Sequence, residues 1–154
     1  MRPLLTLVTL LFVFLMSACD SQTTQSGFDP GANPEAALEK ALNEAKASRK
    51  NVLVIGGGDW CDWSRALESL ISSDAEIRSS LDQNFVMLQV YFGEKNRNAA
   101  FFSKLPSTNV YPYFWVISQD GDVVDTADPS SLEEGSYKYN KTKFLELIQK
   151  LKNA

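Results

Sequence analysis

The stretch Val52-Leu53-Val54-Ile55-Gly56-Gly57-Gly58-Asp59-Trp60-Cys61 constrains this chain more than any other. Asn51 to Ile55 is a short apolar run rich in β-branched residues, so it reads as a buried strand. Three glycines stop it. A helix then begins around Cys61 and runs to Ile71, burying Leu67, Leu70 and Ile71. A cysteine is thereby delivered to the place where a loop becomes a helix. Unpaired amide N–H groups and the helix dipole favour a thiolate there. Arg65 can add positive potential, while Asp59 and Asp62 oppose it. The glycines lack the lysine and Ser/Thr of a phosphate loop, so they serve the turn rather than a nucleotide.

The remaining pattern surrounds this unit with helices and further strands. Asn33-Pro34 caps and opens a helix on which Leu38, Ala41, Leu42 and Ala45 recur at helical spacing. It ends in the basic cluster Lys46 to Lys50, which suits a helix carboxyl end. Ser73-Asp74-Ala75-Glu76 is a capping-box pattern starting a short helix through Leu81. Phe85 to Phe92 reads as a strand. Glu94 to Leu105 reads as a helix with Ala99, Phe102 and Leu105 inward. Tyr113 to Ser118 is a strand that turns at Asp120-Gly121 into Asp122 to Thr126. Leu132 to Tyr139 reads as a solvated acidic loop, with a place beside the site as the alternative. Phe144, Leu147, Ile148 and Leu151 mark a final amphipathic helix. Strands alternating with helices predict a parallel pair, and the late hairpin adds an antiparallel part. The expectation is an α/β domain over 34–154 with a central mixed sheet flanked by helices.

The amino terminus carries different information. Arg2 precedes an uncharged apolar run from Leu4 to Met16, the pattern of an export signal. The run is shorter than the roughly 20 residues of a membrane span. It closes on Leu15-Met16-Ser17-Ala18-Cys19, which resembles the lipobox of bacterial lipoproteins. That resemblance implies a signal peptide over 1–18 and a lipidated Cys19 facing the periplasm. Asp20 after the cysteine resembles an inner-membrane retention signal. Residues 19–33 are rich in Ser, Thr, Gln and Gly and read as a flexible tether.

Composition excludes several kinds of chemistry. The 154 residues hold two cysteines and no histidine. That rules out a Ser-His-Asp triad, an imidazole base, a His-metal cluster and a four-cysteine zinc site. No metal and no cofactor is expected. A net charge of -4 argues against nucleic acid as a partner.

Around Cys61 the chain resembles the thioredoxin superfamily, from about Pro34 to Lys152. Trp60-Cys61-Asp62-Trp63-Ser64 stands where that family has Trp-Cys-x-x-Cys. Val110-Tyr111-Pro112 stands where it has a cis-proline before a strand. Tyr113 to Val124 looks like its closing hairpin. The resemblance implies a thioredoxin-like fold with Cys61 as nucleophile in thiol–disulfide exchange. It implies a groove formed by Trp60, Trp63, Tyr111 and Pro112, in which an extended segment pairs with the backbone edge before the proline. Trp60 is expected half buried, Trp63 exposed and Trp115 in the core. The departure is Ser64, which replaces the second cysteine of the family motif. A hydroxyl cannot close an internal disulfide, so Ser64 is expected only to hydrogen-bond the Cys61 sulfur. Ile55 likewise stands where thioredoxins often hold a buried acid. Exchange would be monothiol, of reductase or isomerase type, on envelope protein disulfides or small thiols, with an external thiol to resolve it. The alternative is a non-catalytic module that uses the same groove to bind an envelope protein.

Overall fold

The computed structural model describes residues 27–154. The expected signal, Cys19 and the first part of the tether lie outside the described residues. At the centre is β1 (Asn51–Gly57), buried from Val52 onward. It pairs in parallel with β2 (Phe85–Tyr91), Asn51 opposite Phe85. Its other edge pairs antiparallel with β3 (Tyr113–Ile117), Gly56 opposite Tyr113. Gly121, at φ 95, turns the chain into β4 (Val123–Ala127). The sheet order is β2-β1-β3-β4, mixed as expected. The parallel pair needs a crossover, and α2 (Asp62–Ser73) with α3 (Ala75–Asn84) supplies it.

The period of two along each strand divides the core. Leu53, Ile55, Phe114 and Val116 face Leu67 of α2, Ile77 and Leu81 of α3, and Phe144, Ile148 and Leu151 of α5 (Lys141–Leu151). Val52, Val54, Trp115 and Ile117 face the other way. They meet Ala41 and Ala45 of α1 (Pro34–Ser48) and Phe101 of α4 (Ala99–Phe102). Slipping β1 by one residue would exchange the two faces, so the register is strongly specified.

The helix ends follow the sequence signals. Asn33 Oδ1 accepts from the Ala36 N–H at 3.1 Å. Asp74 Oδ1 accepts from the Glu76 and Ile77 N–H groups at 3.0 and 3.1 Å. Each satisfies amides that the first turn leaves without an intrahelical partner.

Three expectations are corrected. The helix expected over Glu94 to Leu105 shrinks to α4, with Ala99 exposed and Phe101 buried. Asn98 adopts the left-handed conformation, φ 45, and its Nδ2 donates to the Tyr91 carbonyl at 2.7 Å. Such local side-chain bonds compete with helix. Second, the end of the expected tether touches the body at Gly27, Phe28 and Pro30, the carbonyl of the last accepting from Asn96 Nδ2 at 2.9 Å. Phe28 is buried and the Gly27 N–H donates to Gln89 Oε1 at 2.7 Å. Third, the expected acidic loop is ordered. A 3-10 turn (Pro129–Leu132) leads into a short hairpin of β5 (Glu133–Glu134) and β6 (Lys138–Tyr139). Among the described residues no helix is long and apolar enough to cross a membrane.

Candidate active site

Cys61 is the cap residue of α2, with extended backbone at φ -103, ψ 120. Its N–H donates to the Gly58 carbonyl at 3.1 Å, and its own carbonyl accepts from the Arg65 N–H at 3.1 Å. The glycine turn and the first helical turn thus share this residue. Its thiol is half-buried and free. The S–H donates to the Tyr111 carbonyl at 3.4 Å, fifty positions along the chain. Tyr111–Pro112 is a cis peptide, as the resemblance implied. The β1–β3 pairing brings the two segments together, because it ends where both loops begin.

Ser64 takes a different partner from the one expected. It is fully buried, and its Oγ accepts from the Gly58 N–H at 3.4 Å. Among the described residues no hydrogen bond joins it to the Cys61 sulfur. Ser64 shares the inner face of α2 with Leu67, which presses it against the end of β1. There a Cβ on Gly57 would stand only 2.6 Å from the hydroxyl and 2.8 Å from the Phe28 ring.

Arg65 is also committed elsewhere. Its guanidinium pairs with the Asp62 carboxylate and donates to the Asp59 carbonyl, pinning the loop. Its charge is met by Asp62 rather than directed at the sulfur. Lys95 bonds Asp59 at 2.8 Å and holds that carboxyl below its ordinary range.

Aromatic rings form the walls. Tyr111 stacks on Phe92 at 4.4 Å and 11°, and meets Trp60 edge-on at 6.3 Å. The expected exposures of the two tryptophans are reversed. Trp60 is 52% exposed, its Nε1 donating to the Phe92 carbonyl. Its indole lies across Gly58 and Gly93, where a Cβ would come within 2.5 and 2.6 Å of it. Trp63 is half-buried, because Tyr137 and Tyr139 of the late hairpin each pack edge-on against it at 5.3 Å. Tyr139 O–H donates to the Trp63 carbonyl at 3.4 Å. Burial pushes the Tyr111 and Tyr139 phenols up, and the Asp62 carboxylate does the same to Tyr137. Trp115 is in the core as expected, donating to the Pro106 carbonyl at 2.9 Å.

Sequence reasoning missed Phe28, Phe92 and Gly93, and gave Tyr137 and Tyr139 a place beside the site only as the alternative. Only the Tyr-x-Tyr spacing at 137 and 139 carried a signal, since alternate strand residues share a face.

A thioredoxin-like family model matches residues 33–118. A search of curated proteins finds no significant match. Among solved structures, a disulphide isomerase from Xylella fastidiosa Temecula1 superposes with TM-score 0.65 at 21% identity, covering 80% of this chain and 95% of that one. A DsbH oxidoreductase gives 0.57 at 17% identity, covering 83% and 88%. The oxidised C-terminal domain of Neisseria meningitidis DsbD gives 0.50 at 20%, covering 75% and 94%. At these identities the superpositions establish the fold. The family match spans more than half of the chain, with the cysteine, the cis-proline and the hairpin in place, and the chain belongs to the thioredoxin-like family.

Proposed function

We propose that this protein is a membrane-tethered thiol–disulfide exchange protein of the bacterial cell envelope, working through the single thiol of Cys61. The observation that carries this is a free, half-exposed cysteine at the head of α2, 3.4 Å from the carbonyl that precedes Pro112. The names of two structural neighbours, a disulphide isomerase and an oxidoreductase, support the same chemistry.

The Cys61 thiolate attacks one sulfur of a disulfide R–S–S–R. A bond forms between Cys61 and that sulfur, and the old S–S bond breaks. R–S⁻ leaves and takes up a proton equivalent to the one Cys61 released. Ser64 cannot displace the adduct, so a second thiol R′–SH must do so, giving R–S–S–R′ and regenerating Cys61. Isomerisation follows when R′ belongs to the substrate itself. Trp60, Trp63 and Tyr111 wall the site, and the backbone edge at Tyr111-Pro112 offers an extended segment a place to pair. Arg65 holds the loop. No cofactor enters this scheme.

The tether rests on sequence. Leu15 to Cys19 supports lipidation of Cys19, and Asp20 supports the inner membrane, the domain facing the periplasm. Several acyl chains anchor firmly, at about 0.8 kcal/mol per buried methylene. The partners are then envelope proteins bearing disulfides or thiols, with no role for nucleic acid.

Non-reducing gels of envelope fractions test the reading. Wild type should give adducts that a reductant removes, and Cys61→Ala should give none. Partners that co-purify undiminished with Cys61→Ala, without any adduct in wild type, would establish the binding module instead.

A further inference from the structure

We propose that Tyr137 is a substrate-contact residue that selects disulfides whose cysteine is flanked by an aromatic side chain. The inference rests on the exchange reaction above.

Three observations converge on this ring. Tyr137 holds its backbone at φ 53, a conformation that glycine and asparagine adopt readily and a bulky residue seldom does. Its side chain is 53% exposed, so burial does not repay that conformation. Backbone outliers of this kind concentrate at functional sites. The third observation is position. Tyr139, two residues on, is buried against Trp63 and fixes the hairpin to the body. Tyr137 packs edge-on at 5.3 Å against the same indole, which stands two residues after Cys61 in the chain, and the Asp62 carboxylate pushes its phenol up. Tyr139 therefore does the structural work, and Tyr137 leaves about half of its surface open on the Trp63 side of the site.

The opposite wall is Tyr111 with Trp60 and Phe92. Trp60, Val110 and Tyr137 are three of the exposed large apolar side chains, and all belong to segments flanking Cys61. A peptide joined to Cys61 through its own cysteine runs between these walls. Its neighbouring side chain meets Tyr137, and an aromatic ring there gains an edge or stacking contact that glycine cannot.

The probes are two symmetric disulfide dimers, of acetyl-Gly-Phe-Cys-Gly-amide and acetyl-Gly-Gly-Cys-Gly-amide. Each gives one Cys61 mixed disulfide and one free peptide thiol, followed by mass spectrometry on the full mature chain. Wild type should react about 5- to 10-fold faster with the Phe dimer, the scale of one aromatic pair. Tyr137→Phe should keep that ratio. Tyr137→Asn, which accepts the left-handed backbone, should bring it to about 1. The ratio is taken within each variant, so a change in Cys61 reactivity common to both dimers cancels. Should Tyr137→Asn lose the native near-ultraviolet spectrum, Tyr137→Gly carries the same test. A Phe preference that survives both variants, or is absent from wild type while both dimers react, overturns the role of Tyr137 alone. A wild type that reacts with neither dimer overturns the exchange reaction, and this inference with it.

Discussion

Gly57→Ala probes the contact on which the geometry of the site rests. A Cβ at this position would stand 2.6 Å from Ser64 Oγ and 2.8 Å from the Phe28 ring. Carbon contacts are comfortable at about 3.5–4.0 Å, so both neighbours must move. Phe28 is the softer of the two, since it lies in the loop before α1, although the Gly27–Gln89 hydrogen bond holds that loop to the sheet. Ser64 does not, because it sits in the first turn of α2 between the Cys61 cap and buried Leu67. Overpacking of this kind costs about 1–3 kcal/mol, and one stiff contact with one soft one places Gly57→Ala at about 2 kcal/mol. With a urea slope of about 1.5 kcal/mol per molar, the unfolding midpoint falls by about 1.3 M. Ser64→Ala removes the stiff contact but leaves the Gly58 N–H without its acceptor, at a cost of about 1 kcal/mol. In that background Gly57→Ala should cost about 1 kcal/mol less than in wild type. Urea titrations of the four chains, followed by tryptophan fluorescence, measure the cycle. A Gly57→Ala midpoint within about 0.3 M of wild type refutes the reasoning, as does an equal cost in both backgrounds.

Two further outcomes follow from the same geometry. Gly58→Ala places a Cβ 2.5 Å from the Trp60 indole nitrogen, and exposed Trp60 can swing away. The Trp60–Phe92 bond should break, with a red-shifted emission and a smaller stability loss than Gly57→Ala; unchanged emission would count against the contact. Asp74 caps α3 and pairs with Lys141 at 2.8 Å, which together hold its carboxyl below the ordinary 3.8. A lowered carboxyl stabilises above the unfolded value and loses that contribution as pH falls through the folded one. Asp74→Asn should therefore melt lower than wild type at pH 7, with a gap that narrows at pH 3; a gap that widens in acid has the wrong sign.

Local patterns carried far in this chain. The all-apolar run at Val52–Ile55 announced a strand covered on both faces, and Asn33, Asp74 and Gly121 marked element ends. The departures trace to choices that local pattern does not make. Glu94 to Leu105 has helical spacing, yet Asn98 spends its side chain on the Tyr91 carbonyl in a left-handed conformation, and the helix starts only at Ala99. Residues 27–33 have a tether's composition, yet one phenylalanine finds a slot against Gly57. Ser64 is recognisable as a missing cysteine, but its burial and its bond to Gly58 depend on how α2 seats on the sheet.

By itself, then, the sequence determined a buried strand running through glycines to a helix-capping cysteine, a serine three residues after it, and the mixed sheet. Caps, periodicity and turn residues act over a few positions, so they are readable in order along the chain. The tertiary structure alone decided that Tyr111 would present its carbonyl to Cys61, that Trp60 would be open and Trp63 half covered, and that Tyr137 and Tyr139 would pack against Trp63. Those outcomes depend on which faces meet across dozens of residues, and a side chain's chemistry specifies what it can pack against but not which distant segment will arrive.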